Sequence, residues 1–316
     1  MKKATVYMTK KITSESLIAI YEKLGVPAKG RVAVKISTGE PGGHHFLNAQ
    51  LIAPLVHKVG GTIVECNTAY GGARDTTEGN LKAAKDHGYC DIAKVDIMDS
   101  EGEIRIPVRD SKYLKYDIIG SHAANYDFVI NLAHFKGHTM GGFGGVLKNQ
   151  SIGFSSSNGK AYQHSTGKAE TVAGFNALLM TTVEEGQGLE TADWVAITHS
   201  HDIFHECMAN CAAAVADYYG PQNVIYINIM NNLSVDCDCD PNPSVPEMKD
   251  IGIFASSDPV AVDQACVDQV FNYASKEGDD ASALIERITT RHGIHTVEHA
   301  EKIGLGTRQY DLVSID

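Results

Sequence analysis

No stretch of the 316-residue chain approaches the ~20 consecutive apolar residues that a membrane helix needs. An excess of basic charge is missing too: 27 Lys and Arg face 39 Asp and Glu, a formal net charge of −12. That balance excludes a general binder of nucleic acid or anionic membrane, because phosphate surfaces are met by a basic stripe. The basic residues through Lys11 precede no apolar segment of roughly 7–15 residues, so a signal peptide is not expected and a cytoplasmic location is. A disulfide framework is not expected either. Cys66, Cys90, Cys207, Cys211, Cys237, Cys239 and Cys266 are odd in number and scattered, which suits reduced thiols or metal ligands. Internal repeats and low-complexity linkers are absent, and 43% apolar with 21% charged residues excludes disorder, collagen and coiled coil. The nucleotide patterns G-x-x-x-x-G-K-[ST] and G-x-G-x-x-G do not occur, so no nucleotide is implied.

What is present reads as α/β. The length allows about two domains or one large one, and the even alternation of elements favours a single domain over residues 1–316. Continuous apolar runs at Arg31–Ile36, Thr62–Cys66, Phe128–Ala133, Asn223–Met230 and Ile251–Ala255 predict strands covered on both faces. Helices are predicted over Leu47–Val59, Asn80–His87, Phe204–Tyr219, Pro259–Phe271, Ala281–Arg291 and Thr296–Ile303. Ile92–Met98 and Glu103–Val108 read as a strand pair around the turn Asp99–Gly102. The expected architecture is a mixed, largely parallel sheet with helices on both faces and strand-end loops around a cleft that divides two lobes.

Glycine is plentiful, at 30 residues, and clusters in loops. The segment His134–Asn149 follows the FVINLA strand directly. His134 and His138 bracket Lys136, and four glycines in five positions precede Lys148. Imidazoles supply metal ligands or general bases, lysines supply fixed charge for a carboxylate or phosphate, and glycines let backbone N–H groups converge on an anion. The bland alternative is a tight crossover with surface lysines. A second segment, Asn231–Pro241, follows another buried strand and carries Cys237 and Cys239 among aspartates. A C-x-C pair is weaker than paired C-x-x-C motifs, and two reduced thiols in an acidic turn is the competing reading. The ferredoxin run C-x2-C-x2-C-x3-C-P is absent, so an autonomous [4Fe–4S] site cannot be written from these cysteines.

A third cluster holds His199, His201, His205, Cys207 and Cys211. On a helix its two i,i+4 pairs point in different directions, which favours a helix start capped near Ser200 or Asp202 with solvated histidines. Asp258 reads as an N-cap with Pro259 at the first helical position, and Asp263 as structural. Further strand-end loops begin after Lys35 and contain Asn67, Tyr70 and Arg74; a flexible-looking loop offers His164.

Taken in order, VKISTGEPGG, ECNTAYGG, NLAHFKGHTMGGFGGVLKN, LSVDCDCDPNP, DIGIFASSDPVAVDQACVD and RHGIHTVEHAEKIGLG resemble the uncharacterized Fe-S center proteins, domain of unknown function 362. The resemblance spans about residues 34 to 306 and implies a metal- or cofactor-dependent role linked to redox chemistry. The architecture is also similar to the nickel-pincer lactate racemase group, whose cleft histidines act on a 2-hydroxy acid, an analogy of fold only.

The expectation is thus a metal-linked protein, using zinc, iron or an iron–sulfur cluster, that acts as an enzyme on a small anionic metabolite. Catalysis is assigned to His134, His138 and Lys136. Substrate binding is assigned to Lys35, Asn67, Tyr70, Arg74, Lys148, Asn149 and His164, and metal ligation to Cys237, Cys239, His134 and His138. The alternatives are a non-catalytic metal or cluster carrier serving a redox partner, and a metal-free phosphometabolite-binding protein.

Overall fold

A computed structural model of the chain describes residues 3–198 and 200–316; Met1, Lys2 and His199 lie outside the described residues. The strands are β1 (Ala4–Thr9), β2 (Val32–Lys35), β3 (Thr62–Glu65), β4 (Val95–Ile97), β5 (Glu103–Pro107) and β6 (Tyr116–Gly120). They continue with β7 (Phe128–His134), β8 (Lys136–His138), β9 (Gly142–Gly144), β10 (Val224–Met230), β11 (Gly252–Ser256) and β12 (Tyr310–Ser314). The helices of the first half are α1 (Ser14–Lys23), α2 (Ala49–Val59), α3 (Thr77–Asp86), α4 (Tyr89–Ile92), α5 (Val146–Ser151) and α6 (Ser157–His164). Those of the second half are α7 (Val172–Met180), α8 (Trp194–Thr198), α9 (His201–Tyr219), α10 (Pro259–Phe271), α11 (Ser282–Thr290) and α12 (Ile294–Lys302).

Eight strands form one sheet in the order β12-β1-β11-β10-β7-β2-β3-β4. The run β10-β7-β2-β3-β4 is parallel throughout, β12 is parallel to β1, and β11 is antiparallel to both its neighbours. This is the mixed, largely parallel sheet the apolar runs imply. Each central strand divides its side chains by parity. Phe128, Ile130 and Leu132 of β7, with Ile225, Ile227 and Ile229 of β10, share a core with Leu17 and Ile20 of α1 and Ile52 and Leu55 of α2. Val129 and Ala133, with Val224, Tyr226 and Met230, face the opposite core under α9, α10, α11 and α12.

That second face also carries buried polar groups, and these place the helix beside the cleft. Asn131 Nδ2 donates to the Val146 carbonyl at 2.9 Å, and Asn228 Nδ2 to Asp263 Oδ1 at 2.7 Å. Asp263, on α10, accepts from the Val146 and Leu147 N–H groups at 2.9 Å each, so it caps α5 from a different helix. A Cβ on Gly145 would lie 2.3 Å from Asp263 Oδ1, so any other residue there would have to push the carboxylate off the α5 N–H groups. Asp258 caps α10 through the Val260 and Ala261 N–H groups, as its place before Pro259 implies.

The structure departs from the sequence expectation in two places. The residues around the turn at 99–102 are not a hairpin: β4 joins β3 in parallel, and β5 pairs with β6 in a separate two-stranded sheet. Ser200 does cap α9, accepting from the Asp202 N–H at 3.1 Å, but His205 is fully buried rather than solvated. Its ring bridges Thr296 Oγ1 (2.6 Å) and the Arg291 carbonyl (2.7 Å), fastening α9 to the start of α12. Cys207 and Cys211 are buried among Leu114, Ile118 and Tyr162.

Candidate functional site

Lys35, Glu65 and His134 are the last residues of the parallel strands β2, β3 and β7, and the cysteine loop follows β10. Ligands of open α/β sheets sit outside such carboxyl ends. A cavity of about 80 Å³ lies there, lined by Lys35, Glu65, Tyr70, Arg74, His134, Lys136, Lys148, Asn149, Lys160 and the Cys237–Cys239 turn, among others. At about 10–15 Å³ per enclosed water it admits several waters or a ligand of a few heavy atoms.

The two chemistry-bearing segments meet because β8 runs tightly against residues 234–235. Gly137 N donates to the Ser234 carbonyl at 2.8 Å. A Cβ on Gly137 would stand 2.1 Å from the Val235 carbonyl oxygen, so no other residue fits without moving backbone. Below this contact is a buried charge network. Asp238 places Oδ1 2.8 Å from His134 Nδ1 and Oδ2 2.8 Å from Lys136 Nζ, and both partners are almost wholly enclosed. Burial works against the Asp238 charge, but His134 and Lys136 more than offset it and hold the carboxyl far below its usual range. His134 Nε2 meets the Asn231 carbonyl at 2.6 Å. With a carboxylate against one ring nitrogen and a carbonyl against the other, both nitrogens are committed within the protein.

His138 is different. Its Nδ1 accepts from the Met140 and Gly141 N–H groups at 3.2 and 2.9 Å, which leaves the proton on Nε2. Burial, and then the charge of Lys148, lower its pKa to about 4, so the ring is neutral at pH 7. Its ligand nitrogen and the sulfurs of Cys237 and Cys239 lie within 4.8 Å of one another. Hydrogen bonding from Cys239 outweighs burial at Cys237 and, with Lys148 and His138, draws its thiol well below the ordinary range. Cys239, pressed against that thiolate, is pushed up.

Cations dominate the walls. Lys35 pairs with Glu65 at 2.7 Å; Arg74 pairs with Glu40 at 3.0 Å and lies 3.7 Å from Glu65. Lys148 and Lys160 have no carboxylate within ion-pair distance among the described residues. Five cations (Lys35, Arg74, Lys136, Lys148, Lys160) thus face three carboxylates (Glu40, Glu65, Asp238), a positive hollow in a chain of charge −12.

Of the residues singled out in the sequence, Lys35, Tyr70, Arg74, His134, Lys136, Lys148, Asn149, Cys237 and Cys239 line the cavity, and His138 touches its cysteine edge. Asn67 does not line it; its side chain donates to Thr77 Oγ1 and accepts from Asn80. Nor does His164, which is on α6, gives its Nδ1 proton to the Lys160 carbonyl, and packs among Phe175, Trp194 and Phe204. Glu65, Asp238 and Lys160 carry no assigned role in the sequence reading, and Cys66 enters it only as one of the scattered thiols. Glu65 had a signal, a lone charge ending the apolar run TIVEC; Asp238 had one in its place between two cysteines.

The sequence profile of the family described as Domain of unknown function (DUF362) matches residues 32–268, three quarters of the chain. The chain belongs to the DUF362 family. No curated protein matches it. Among solved structures this DUF362 chain is similar to the lactate racemase apoprotein from Thermoanaerobacterium thermosaccharolyticum, at 13% identity and a TM-score of 0.45. The match covers 84% of this chain and 57% of that one, so the chain spans little more than half of its neighbour's length.

The donors can be tested against the metal the sequence leads one to expect. A four-thiolate cluster takes four cysteines, whereas three line this cavity: Cys66, Cys237 and Cys239. Burial pushes the Cys66 thiol up, and its S–H points to the Phe154 carbonyl. The arrangement therefore suits one thiophilic ion on Cys237 and Cys239 better than a cluster. His134 is spent on Asp238 and Asn231 and offers an ion nothing.

Proposed function

We propose that this chain is a metal-linked enzyme acting on a small anionic metabolite in the strand-end cavity. The observation that carries the reading is convergence: a C-x-C pair whose Cys237 is drawn toward the thiolate and a neutral imidazole stand within 4.8 Å beside a hollow with more cations than carboxylates. Lys148, without a carboxylate of its own, is the group best placed to take the anion's charge, with Lys35, Arg74 and Lys136 raising the local potential. Cys237 and Cys239 would hold a thiophilic ion such as Zn²⁺ or Fe²⁺, which supplies Lewis-acid polarisation of a substrate oxygen when bound. The Asp238 network fixes the cysteine turn to β7 and β8, so that His134 and Lys136 act as positioning groups for it.

A second reading, without an ion, is favoured by His138. A ring whose Nδ1 accepts two backbone N–H groups presents Nε2–H, and that proton suits a thiolate; ligation through Nε2 would require its loss. On this reading the Cys237 thiolate itself binds or attacks the substrate.

One set of measurements separates the two. Protein purified without chelator is expected to carry about one equivalent of a transition metal, lost in the Cys237→Ser/Cys239→Ser double variant. Phosphate or a short carboxylate is expected to raise Tm, and less so in Lys148→Ala. Substoichiometric metal unchanged by the double variant sinks the first reading. The second then requires that alkylation of Cys237 keep its rate as pH falls below 8.5, where an ordinary thiol loses tenfold per unit. His138→Gln, which removes the Nε2–H donor, should move that decline to higher pH. A Tm indifferent to every anion tried would defeat both.

A further inference from the structure

The segment RHGIHTVEHAEKIGLG has no part in the cavity, yet it brings a second set of donors together. His295 and His299 are four apart on α12 and so share one face. Across from them, on α9, stands Glu206. Its Oε1 lies 3.4 Å from His295 Nε2 and 3.7 Å from His299 Nδ1, and all three ligand atoms fall within 4.8 Å of one another.

These separations are long for hydrogen bonds, which cluster near 2.9 Å. They fit the edges of a coordination tetrahedron: bonds of about 2.05 Å give ligand–ligand edges of about 3.3 Å. His299 is only 3% exposed, and among the described residues its Nδ1 has no hydrogen-bond partner. A buried imidazole nitrogen left without a partner is expensive unless something fills its lone pair. On the far side of the His295 ring, Nδ1 faces Glu298 at 3.7 Å, an acidic neighbour beyond hydrogen-bond reach. A small void of about 10 Å³ adjoins the group, lined by Asp110, Lys112, Glu206 and His299 among others, enough for one water as a fourth ligand. Among the described residues the cation paired with Glu206 is Lys112, 3.6 Å from its other oxygen and more than half exposed; the charge of Lys302 also bears on His299.

We propose that Glu206, His295 and His299 form a binding site for a zinc-class divalent cation that ties α12 to α9. The site shares no residue with the strand-end cavity and does not depend on the reading given above. Two nitrogens and one oxygen, with no sulfur, favour Zn²⁺ or Co²⁺ over the thiophilic chemistry of the cysteine pair.

The test uses the full chain carrying Cys237→Ser and Cys239→Ser, titrated with Co²⁺ as a visible probe and with Zn²⁺ in competition. Expected is one equivalent of tetrahedral Co²⁺ absorption without the sulfur-to-cobalt charge-transfer band of a thiolate site, displaced by Zn²⁺, with Tm rising as Zn²⁺ is added. His295→Gln and Glu206→Gln, at partly exposed positions that leave the packing intact, should weaken Co²⁺ binding beyond the roughly 10–100-fold that losing an outer partner costs. They should also abolish the Tm response. His299→Ala is expected to do the same, but its buried position makes it the less secure variant. Failure of Co²⁺ to bind, or binding and Tm response unchanged in both His295→Gln and Glu206→Gln, overturns the proposal.

Discussion

Alanine at Gly137 is expected to destabilise the protein by about 3 kcal/mol and to separate the halves of the candidate site. The reason is geometric. Three backbone atoms of Val235 lie 2.1–2.6 Å from where the new Cβ would be, and backbone cannot rotate out of the way as a side chain can. An ordinary contact would need β8 and residues 234–235 to part by more than an ångström. That would break the Gly137–Ser234 hydrogen bond and draw Asp238 from Lys136. Urea unfolding reads the stability, and the metal content or low-pH alkylation of Cys237 reads the site. Gly71→Ala is the control, since nothing lies within 4 Å of its added methyl. If Gly137→Ala unfolds and reacts as that control does, the close approach does not hold the site together.

Gly137 also shows where reading the sequence succeeds and where it stops. The central strands were legible because β2, β7 and β10 are buried on both faces, and an unbroken apolar run of that length suits few other places in a fold. Their partners were not legible. Periodicity marks Val95–Ile97 and Glu103–Pro107 as extended, but says nothing about which strand each joins. β8 and β9 are made of Lys, Gly, His and Phe, residues that local preference alone would not make into a hairpin; contact with the 234–235 loop does that. The edge strand β12 is largely exposed, and α6 reads as a loop because its buried side includes Lys160, Gln163 and His164.

The site was legible as chemistry and illegible as connection. Histidines, lysines and cysteines at strand ends mark a cleft on residue type alone, yet His134 and His138 look equivalent in sequence and are not in structure. One has both ring nitrogens committed to acceptors, the other accepts backbone hydrogens and stays neutral. His134 is fixed by partners about a hundred residues away, which no spacing rule reports, and His138 by the turn of its own loop. The Glu206–His295–His299 group is hidden for the same reason: nothing in the sequence of α12 reports that α9 brings a carboxylate opposite its two histidines.

Replacing Glu65 with Gln is expected to be the most costly single change of charge in the cleft, at about 3–5 kcal/mol. Glu65 is almost fully enclosed between Lys35 at 2.7 Å and Arg74 at 3.7 Å, and it accepts from the Thr38 and Cys66 N–H groups at 3.2 Å each. Glutamine keeps the shape but leaves buried Lys35 and Arg74 short of a counter-charge. Burial alone would raise the Glu65 pKa, but Lys35 and Arg74 hold it below the ordinary value. A carboxylate lowered in this way contributes stability above the unfolded value near 4.3, and that contribution fades as pH falls through the folded value. The gap between wild type and Glu65→Gln should therefore be full at pH 7 and narrow below about pH 4.3. The variant hollow is also more positive, so phosphate or sulfate should raise its Tm more than that of the wild type. A penalty under about 1 kcal/mol at pH 7, with no added response to anions, would mean that Lys35 sheds its proton on folding and that the cations of this cavity are not held in readiness for a ligand.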